Sequence, residues 1–192
     1  MKTNLLKENS TVNEIVKKLE DNYEVILKEY KENTSSSIYL DYELWFKCTG
    51  KFPPYLGLYI LYLMFTSRVG NYDWETVSMK KFPKTYNILK SFNLIESSFA
   101  KLGGKNRNVL HTDSKPEKPM IRIHLPLIVP KGNIFFVING EKIKWEKGKC
   151  ISFDTSIPHK FWNLTGRDRI NLLVSLWKCC LLYTSPSPRD MW

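Results

Sequence analysis

The chain of 192 residues contains three histidines, and their neighbours are chemically uneven. His111 stands two residues before Asp113 in "VLHTDSKPEK"; His124 follows Arg122 by two in "MIRIHLPLIV"; His159 comes after a proline in "FDTSIPHKFWN". The order His-x-Asp, then 45 intervening residues, then His is a spacing by which a β-scaffold brings two imidazoles and a carboxylate to one side of an iron(II) ion. Three protein ligands on one side leave positions open for a bidentate 2-oxo acid and dioxygen. A bare His-x-Asp also arises by chance. The competing readings are a satisfied, partly buried His111 and, for Asp113, a turn acid beside the "SKPEK" loop. Arg169, ten residues after His159, opens the apolar run "RINLLVSLW". A guanidinium there can form a two-pronged ion pair with a carboxylate deep in a cavity, or a surface salt bridge at a strand end.

These side chains need a scaffold that brings them together, and the sequence changes period where they begin. From about residue 96 the apolar residues alternate: "IESSFAKL", "PMIRIHLPLIV", "NIFFVIN", "EKIKWEKG", "KCISFD", "KFWNL" and "RINLLVSLW" read as short strands separated by Gly, Pro, Asn and Asp. Asn139-Gly140 between two such runs is a two-residue hairpin signal. Alternation puts His111 with Asp113, and Arg122 with His124, on common faces, while Ile121, Ile123, Leu125 and Leu127 form the opposite face. The apolar face can pack on helices. The polar face must then look into a lumen, where ionisable groups are costly unless paired, bound to metal or awaiting a charged ligand.

Ahead of the strands, Ser10 or Thr11 can cap one amphipathic helix through "VNEIVKKLEDNYEVILKEYKE", ending near Asn33, with Ile15, Leu19, Tyr23 and Ile26 or Leu27 at helical spacing. "FPKTYNILKSFN" reads as another helix after a proline. "PYLGLYILYLMF", residues 54–65, is too short to span a bilayer and carries Pro and Gly, so a buried helix or a pocket wall is expected. The expected fold is mainly β with N-terminal helices: a double-stranded β-helix, or cupin-like jelly roll, packed against helices. Residues 1–95 form the helical and irregular portion and 96–178 the barrel core. Residues 180–192, with "CLLYTSPSPRD", break the strand pattern and resemble translated sequencing adapter, so they are set apart as foreign or as a flexible tail.

The net charge of +10 arises from 29 Lys and Arg against 19 acids, scattered singly or in pairs, which is the pattern of a solvated surface and not of a nucleic-acid stripe. The N-terminal residues lack the apolar core of a signal peptide, and Cys48, Cys150, Cys179 and Cys180 lack metal-site spacing. A cytoplasmic protein with reduced thiols is expected, without nucleic acid or membrane span. Its oligomeric state is not readable.

The ordered series "HTD" with His111, "RIHLPLIVP" with Arg122 and His124, "KWEKGK" with Trp145, "FDTSIPHKFWN" with Asp154 and His159, and then Arg169 resembles the aspartyl/asparaginyl β-hydroxylase family. Its members are iron(II)- and 2-oxoglutarate-dependent oxygenases. The resemblance implies His111 and His159 as Fe(II) ligands, Arg169 as partner of the distal 2-oxoglutarate carboxylate, His124 as a further cosubstrate contact, and Arg122 facing a substrate carboxylate. It departs at two places. Asp113 stands where the family's animal peptide hydroxylases carry glycine, which restores a three-ligand set of His111, Asp113 and His159. Ala100 stands where those enzymes carry a serine that assists 2-oxoglutarate. The implied activity uses O2 to hydroxylate an unactivated C–H of an amino acid, an aspartyl or asparaginyl residue, or a related small-molecule or peptide carboxylate. Two other readings stay open: a non-catalytic cupin-like module holding a small carboxylate, and a nucleic-acid-binding protein using the basic charge.

Overall fold

The computed structural model describes residues 9–34, the backbone of 58–65, and residues 79–178. The first segment forms two helices where the periodicity suggests one. Helix α1 spans Ser10–Asp21 and α2 spans Tyr23–Asn33. Asn22 interrupts them at φ −106°, ψ 12°, and its side-chain amide donates to the Lys18 carbonyl at 2.8 Å. Asparagine competes with the helical ladder for backbone partners, so an otherwise continuous stripe breaks there. The N-cap is Asn9, whose side chain accepts from the Val12 N–H at 3.1 Å, one residue before Ser10 and two before Thr11. Val12, Ile15 and Leu19 of α1 and Ile26 and Tyr30 of α2 are buried. Helix α3, Pro83–Leu89, begins with proline, whose missing N–H costs nothing in a first turn. Its next two N–H groups donate to the buried Glu29 carboxylate, Lys84 at 2.8 Å and Thr85 at 2.7 Å.

The strands are β1 Leu58–Phe65, β2 Glu96–Leu102, β3 Asn106–Arg107, β4 Met120–Ile128, β5 Ile134–Ile138, β6 Glu141–Ile143, β7 Ile151–Asp154, β8 His159–Asn163 and β9 Arg169–Trp177. They form a sheet ordered β1-β2-β9-β4-β7 and another ordered β3-β8-β5-β6, with antiparallel neighbours throughout. The buried-helix expectation for the apolar stretch is corrected here. Residues 58–65 are a strand paired with β2 from Leu58↔Leu102 to Phe65↔Glu96. A short apolar run carries no periodicity that separates helix from strand, and the open edge of β2 decides it. The two-residue strand β3 left no signal in the sequence.

Alternation works as expected on the larger sheet. Ile121, Ile123, Leu125 and Leu127 of β4, with Ile170, Leu172, Val174 and Leu176 of β9, pack against the helices. The opposite face meets the smaller sheet through Leu102, Ile151 and Phe153 on one side and Ile134, Phe136, Ile138 and Phe161 on the other, with Trp145 between. The result is a jelly roll of the double-stranded β-helix type with helices on its outer face. The β5–β6 hairpin turns at Asn139 (φ 49°) and Gly140 (φ 80°), and two successive positive φ values are the reason this dipeptide is there. Gly104 is needed for a different reason: an added Cβ would sit 2.7 Å from the Gly166 carbonyl carbon and 2.8 Å from the Arg167 nitrogen. Among the described residues no helix is long and apolar enough to cross a membrane. Cys150 is half-buried, and burial, reinforced by the Glu20 carboxylate, pushes its thiol up and keeps it protonated. Cys48, Cys179, Cys180 and residues 180–192 lie outside the described residues.

Candidate metal centre

The "HTD" segment is not a regular strand. His111 forms a single bridge with His159, the first residue of β8. Each donates its backbone N–H to the other's carbonyl, at 3.0 and 2.9 Å. The Asp113 N–H donates to the Thr155 carbonyl at 2.9 Å, so two segments far apart in sequence are stitched side by side. The turn before His159 is shaped by Asp154, which accepts from the Ser156 N–H at 2.9 Å and from Lys178 Nζ at 3.0 Å. Asp154 thereby serves the turn, and its β4 neighbour is Ile121 on the outer face of the sheet.

The stitching brings one donor atom each from His111, Asp113 and His159 within 4.8 Å of one another. His111 Nε2 lies 3.4 Å from Asp113 Oδ1, and His159 Nε2 lies 3.4 Å from Asp113 Oδ2. Both rings are fixed from behind in the same way. His111 Nδ1 is 2.9 Å from the Val109 carbonyl, and His159 Nδ1 is 2.9 Å from the Ile157 carbonyl. A carbonyl only accepts, so each Nδ1 carries a proton and each Nε2 is turned toward the carboxylate, donating to it when the ring is protonated and offering its lone pair to a metal when the ring is neutral. The sequence expectation of a shared face therefore holds, through a bridge in place of a strand.

Charge follows this geometry. Burial would raise the Asp113 carboxyl, but hydrogen bonds from both histidines and the Arg122 charge hold it well below the usual carboxylate range. Burial acts to lower His111, yet the Asp113 hydrogen bond and the Val109 carbonyl outweigh it and raise that imidazole. The set is thus an ionised carboxylate between two oriented imidazoles, a donor mixture suited to a divalent transition metal with open positions.

Arg122 lies across the sheet from this set, and its three nitrogens are each engaged. Nη1 donates to Asp113 Oδ2 at 2.7 Å, Nη2 to Glu96 Oε1 at 2.6 Å, and Nε to Ser175 Oγ at 3.0 Å. Ser175 also donates to Glu96 Oε1 at 3.1 Å. The arrangement follows from register, because Glu96, Ser175 and Arg122 are opposed in a row across β2, β9 and β4.

Deeper in the barrel lies a second group. Arg169 is 1% exposed, so a surface salt bridge is overturned. Its guanidinium carbon stands 4.8 Å from the Trp145 ring centre and 5.1 Å from that of Phe161. With the Asn171 amide turned to satisfy both of its ends, Asn171 accepts from Arg169 Nη1 at 2.9 Å. Burial pulls the arginine down to about 9. His124 stacks with Phe136 and Trp145, both at 5.4 Å, and burial followed by the charges of Arg169 and Arg122 keeps it neutral. Three buried polar atoms of this group, Arg169 Nε, His124 Nδ1 and Trp145 Nε1, have no hydrogen-bond partner among the described residues. Phe136 and Phe153 then connect the group to the metal-facing set, presenting ring contacts to His159 at 6.0 and 4.9 Å.

A family model described as Aspartyl/Asparaginyl beta-hydroxylase matches residues 20–179. The chain belongs to this family. Over 101 residues this β-hydroxylase family member is 28% identical to the aspartyl/asparaginyl beta-hydroxylases of Mus musculus and Homo sapiens, covering 50% of its own length and 13% of theirs. Over 65 residues it is 34% identical to an ornithine lipid ester-linked acyl 2-hydroxylase of Rhizobium tropici, covering 33% of its own length and 23% of that protein. It therefore spans less than a quarter of the length of these relatives. A solved prolyl-4-hydroxylase of Pseudomonas putida shares the fold with TM-score 0.50 and 16% identity, over 82% of this chain and 86% of that one.

In the sequence of this family member His111, Asp113 and His159 form a candidate set and Arg169 is left between a cavity and a strand-end salt bridge; the structure brings donor atoms of the three within 4.8 Å and buries Arg169 and His124. Sequence reasoning did not find Glu96 or Ser175. Glu96 opens β2 and Ser175 lies within β9, both otherwise ordinary strands, and only the β2–β9–β4 register sets them beside Arg122. Asn108 was also missed. Its side chain accepts from the Phe161 N–H and its amide nitrogen lies 3.4 Å from His111 Nδ1.

Proposed function

We propose that the protein is an iron(II)- and 2-oxoglutarate-dependent dioxygenase that hydroxylates an unactivated C–H bond of an amino acid, an aspartyl or asparaginyl residue, or a related carboxylate-bearing substrate. The observation that carries this reading is a fully buried guanidinium without an ion-pair partner among the described residues, beside a His-Asp-His set. Such a charge costs stability unless a ligand anion meets it. The residues fit both groups on their own chemistry. Two Nε2 lone pairs and one carboxylate suit iron(II), and an arginine flanked by orphaned polar atoms suits the distal end of a dicarboxylate.

When bound, iron(II) and 2-oxoglutarate supply reductive activation of dioxygen: 2-oxoglutarate leaves as succinate and carbon dioxide, and one oxygen atom enters the substrate C–H. The chain positions and shields. His111, His159 and Asp113 hold the ion; Arg169 binds the distal carboxylate; neutral His124 and the Trp145 indole N–H lie where they can pair with the remaining oxygens. Phe136, Phe153 and Phe161 exclude water from the reacting region. Arg122, expected to meet a substrate carboxylate, already holds Asp113 and Glu96. Any substrate acid must therefore share or displace one of these. Val109 and Leu110, 69% and 59% exposed next to His111, add an apolar rim that suits a substrate with a hydrocarbon part. That keeps a lipid-linked acyl group beside amino acids and peptides as a class to screen.

The test is succinate release from 2-oxoglutarate with iron(II) and ascorbate, in wild type and His159→Ala. Release that the substitution abolishes supports the reading. A second reading, a binding module for a small carboxylate, draws on the same buried guanidinium, which can hold a dicarboxylate without turnover; 2-oxoglutarate binding with no succinate from either protein would establish it. Mass-spectrometric screening of amino acids, acidic peptides and acyl lipids for a gain of one oxygen identifies the substrate. The nucleic-acid reading predicts cations clustered with aromatics on one face, and the smaller sheet carries Phe135 and Trp162 with Lys142 and Lys160 over their rings; salt-sensitive nucleic-acid binding with neither 2-oxoglutarate binding nor turnover would favour it.

A further inference from the structure

An arginine beside a lone carboxylate ordinarily takes both oxygens with two parallel N–H groups. Such a fork on Asp113 would compete with a metal for the whole carboxylate. The geometry here is different. Nη2 of Arg122 is drawn to Glu96 at 2.6 Å and Nε to Ser175 at 3.0 Å, so the guanidinium reaches Asp113 through Nη1 and meets Oδ2 at 2.7 Å. Oδ1 faces His111 Nε2 and Oδ2 faces His159 Nε2, each at 3.4 Å. Glu96 and Ser175 are themselves linked at 3.1 Å, and both acidic partners of Arg122 are largely shielded, with side chains 15% and 24% exposed for Glu96 and Asp113.

We propose that Glu96 and Ser175 are positioning residues which, by engaging Nη2 and Nε of Arg122, fix its guanidinium and through it the Asp113 carboxylate beside the ion that His111 and His159 would hold. This rests on the metal-centre reading above and deepens it. Glu96 also offsets the Arg122 charge next to a cation site. Without it, Arg122 turns more fully onto Asp113 and repels the incoming ion. The partners of metal ligands commonly change metal affinity by about 10- to 100-fold when removed, and the effect expected for Glu96 lies in that range.

The experiment uses the whole chain and cobalt(II) as a probe, read by visible absorption and by calorimetry without cosubstrate. Glu96→Gln and Ser175→Ala are compared with wild type, with Glu20→Gln as a control carboxylate that bonds Lys149 and the Cys150 N–H away from the site. The expected result is about 10-fold weaker cobalt binding in Glu96→Gln, a smaller loss in Ser175→Ala, and an altered d–d spectrum in both, with the control unchanged. Circular dichroism and Tm show whether each variant is folded, and Ser175→Ala, the milder change, carries the test if Glu96→Gln is not. Wild-type affinity and spectrum in the folded variants would overturn the positioning role and leave the metal centre standing. If wild type binds no cobalt, or binds it equally after His111→Ala, the metal-centre reading fails and takes the inference with it.

Discussion

Arg169 is the residue at which stability and function pull apart. Its pKa falls from the usual arginine value to about 9 because the charge is fully buried. A base whose folded pKa is depressed binds fewer protons folded than unfolded, so burying it costs stability at neutral pH, and the cost shrinks as pH rises above about 9. Replacing it by an apolar residue of similar length should therefore leave the ligand-free protein as stable or more so. Arg169→Met is expected to hold or raise Tm alone and to lose the further rise that 2-oxoglutarate gives wild type, about 2.7 kcal/mol at 100 times Kd. A drop in Tm for the ligand-free variant would mean the arginine is a structural strut.

At the scale of elements, the helices and the turn before β8 are held by carboxylates doing local work. Glu29 of α2 caps α3 with both oxygens, at 2.8 and 2.7 Å, from a position 4% exposed. Glu29→Ala leaves the buried Thr85 N–H and the part-buried Lys84 N–H without their acceptor and should cost about 1–3 kcal/mol in urea unfolding; a loss under about 0.5 kcal/mol would show that water replaces the carboxylate. Asp154 is expected to give a pH signature. Burial would raise its carboxyl, but Ser156 and Lys178 lower it, so the stability it contributes is present above the ordinary value of 3.8 and is lost as pH falls below it. Asp154→Asn should flatten the acid limb of a Tm–pH curve and leave the neutral region lower. How much of this was legible differs by element. The strands from Met120 onward, the Asn139-Gly140 turn and the inward face of Arg122 and His124 were readable because alternation and turn chemistry are local. The β1 strand, the break at Asn22 and the Glu96–Ser175–Arg122 row were not. The first depends on a partner edge, the second on one side chain's choice of acceptor, and the third on register between strands separated by tens of residues.

At the scale of the molecule, a net charge of +10 surrounds a mouth whose own charges are balanced internally, with Arg122 set between Asp113 and Glu96. An acidic substrate should therefore be gathered by the general field and not by one mouth arginine. The expectation is that kcat/KM for such a substrate declines as ionic strength rises while kcat holds, because salt screens the approach and not the chemistry. A salt-independent kcat/KM would mean the surface charge plays no part in encounter. The reciprocal main-chain bonds between His111 and His159 have one further result. Each amide proton is locked by the other residue's oxygen, so neither can reach solvent without the other being released in the same opening. In heavy water the two positions should therefore take up deuterium together, and a ligand clasped between them should slow both by the same factor.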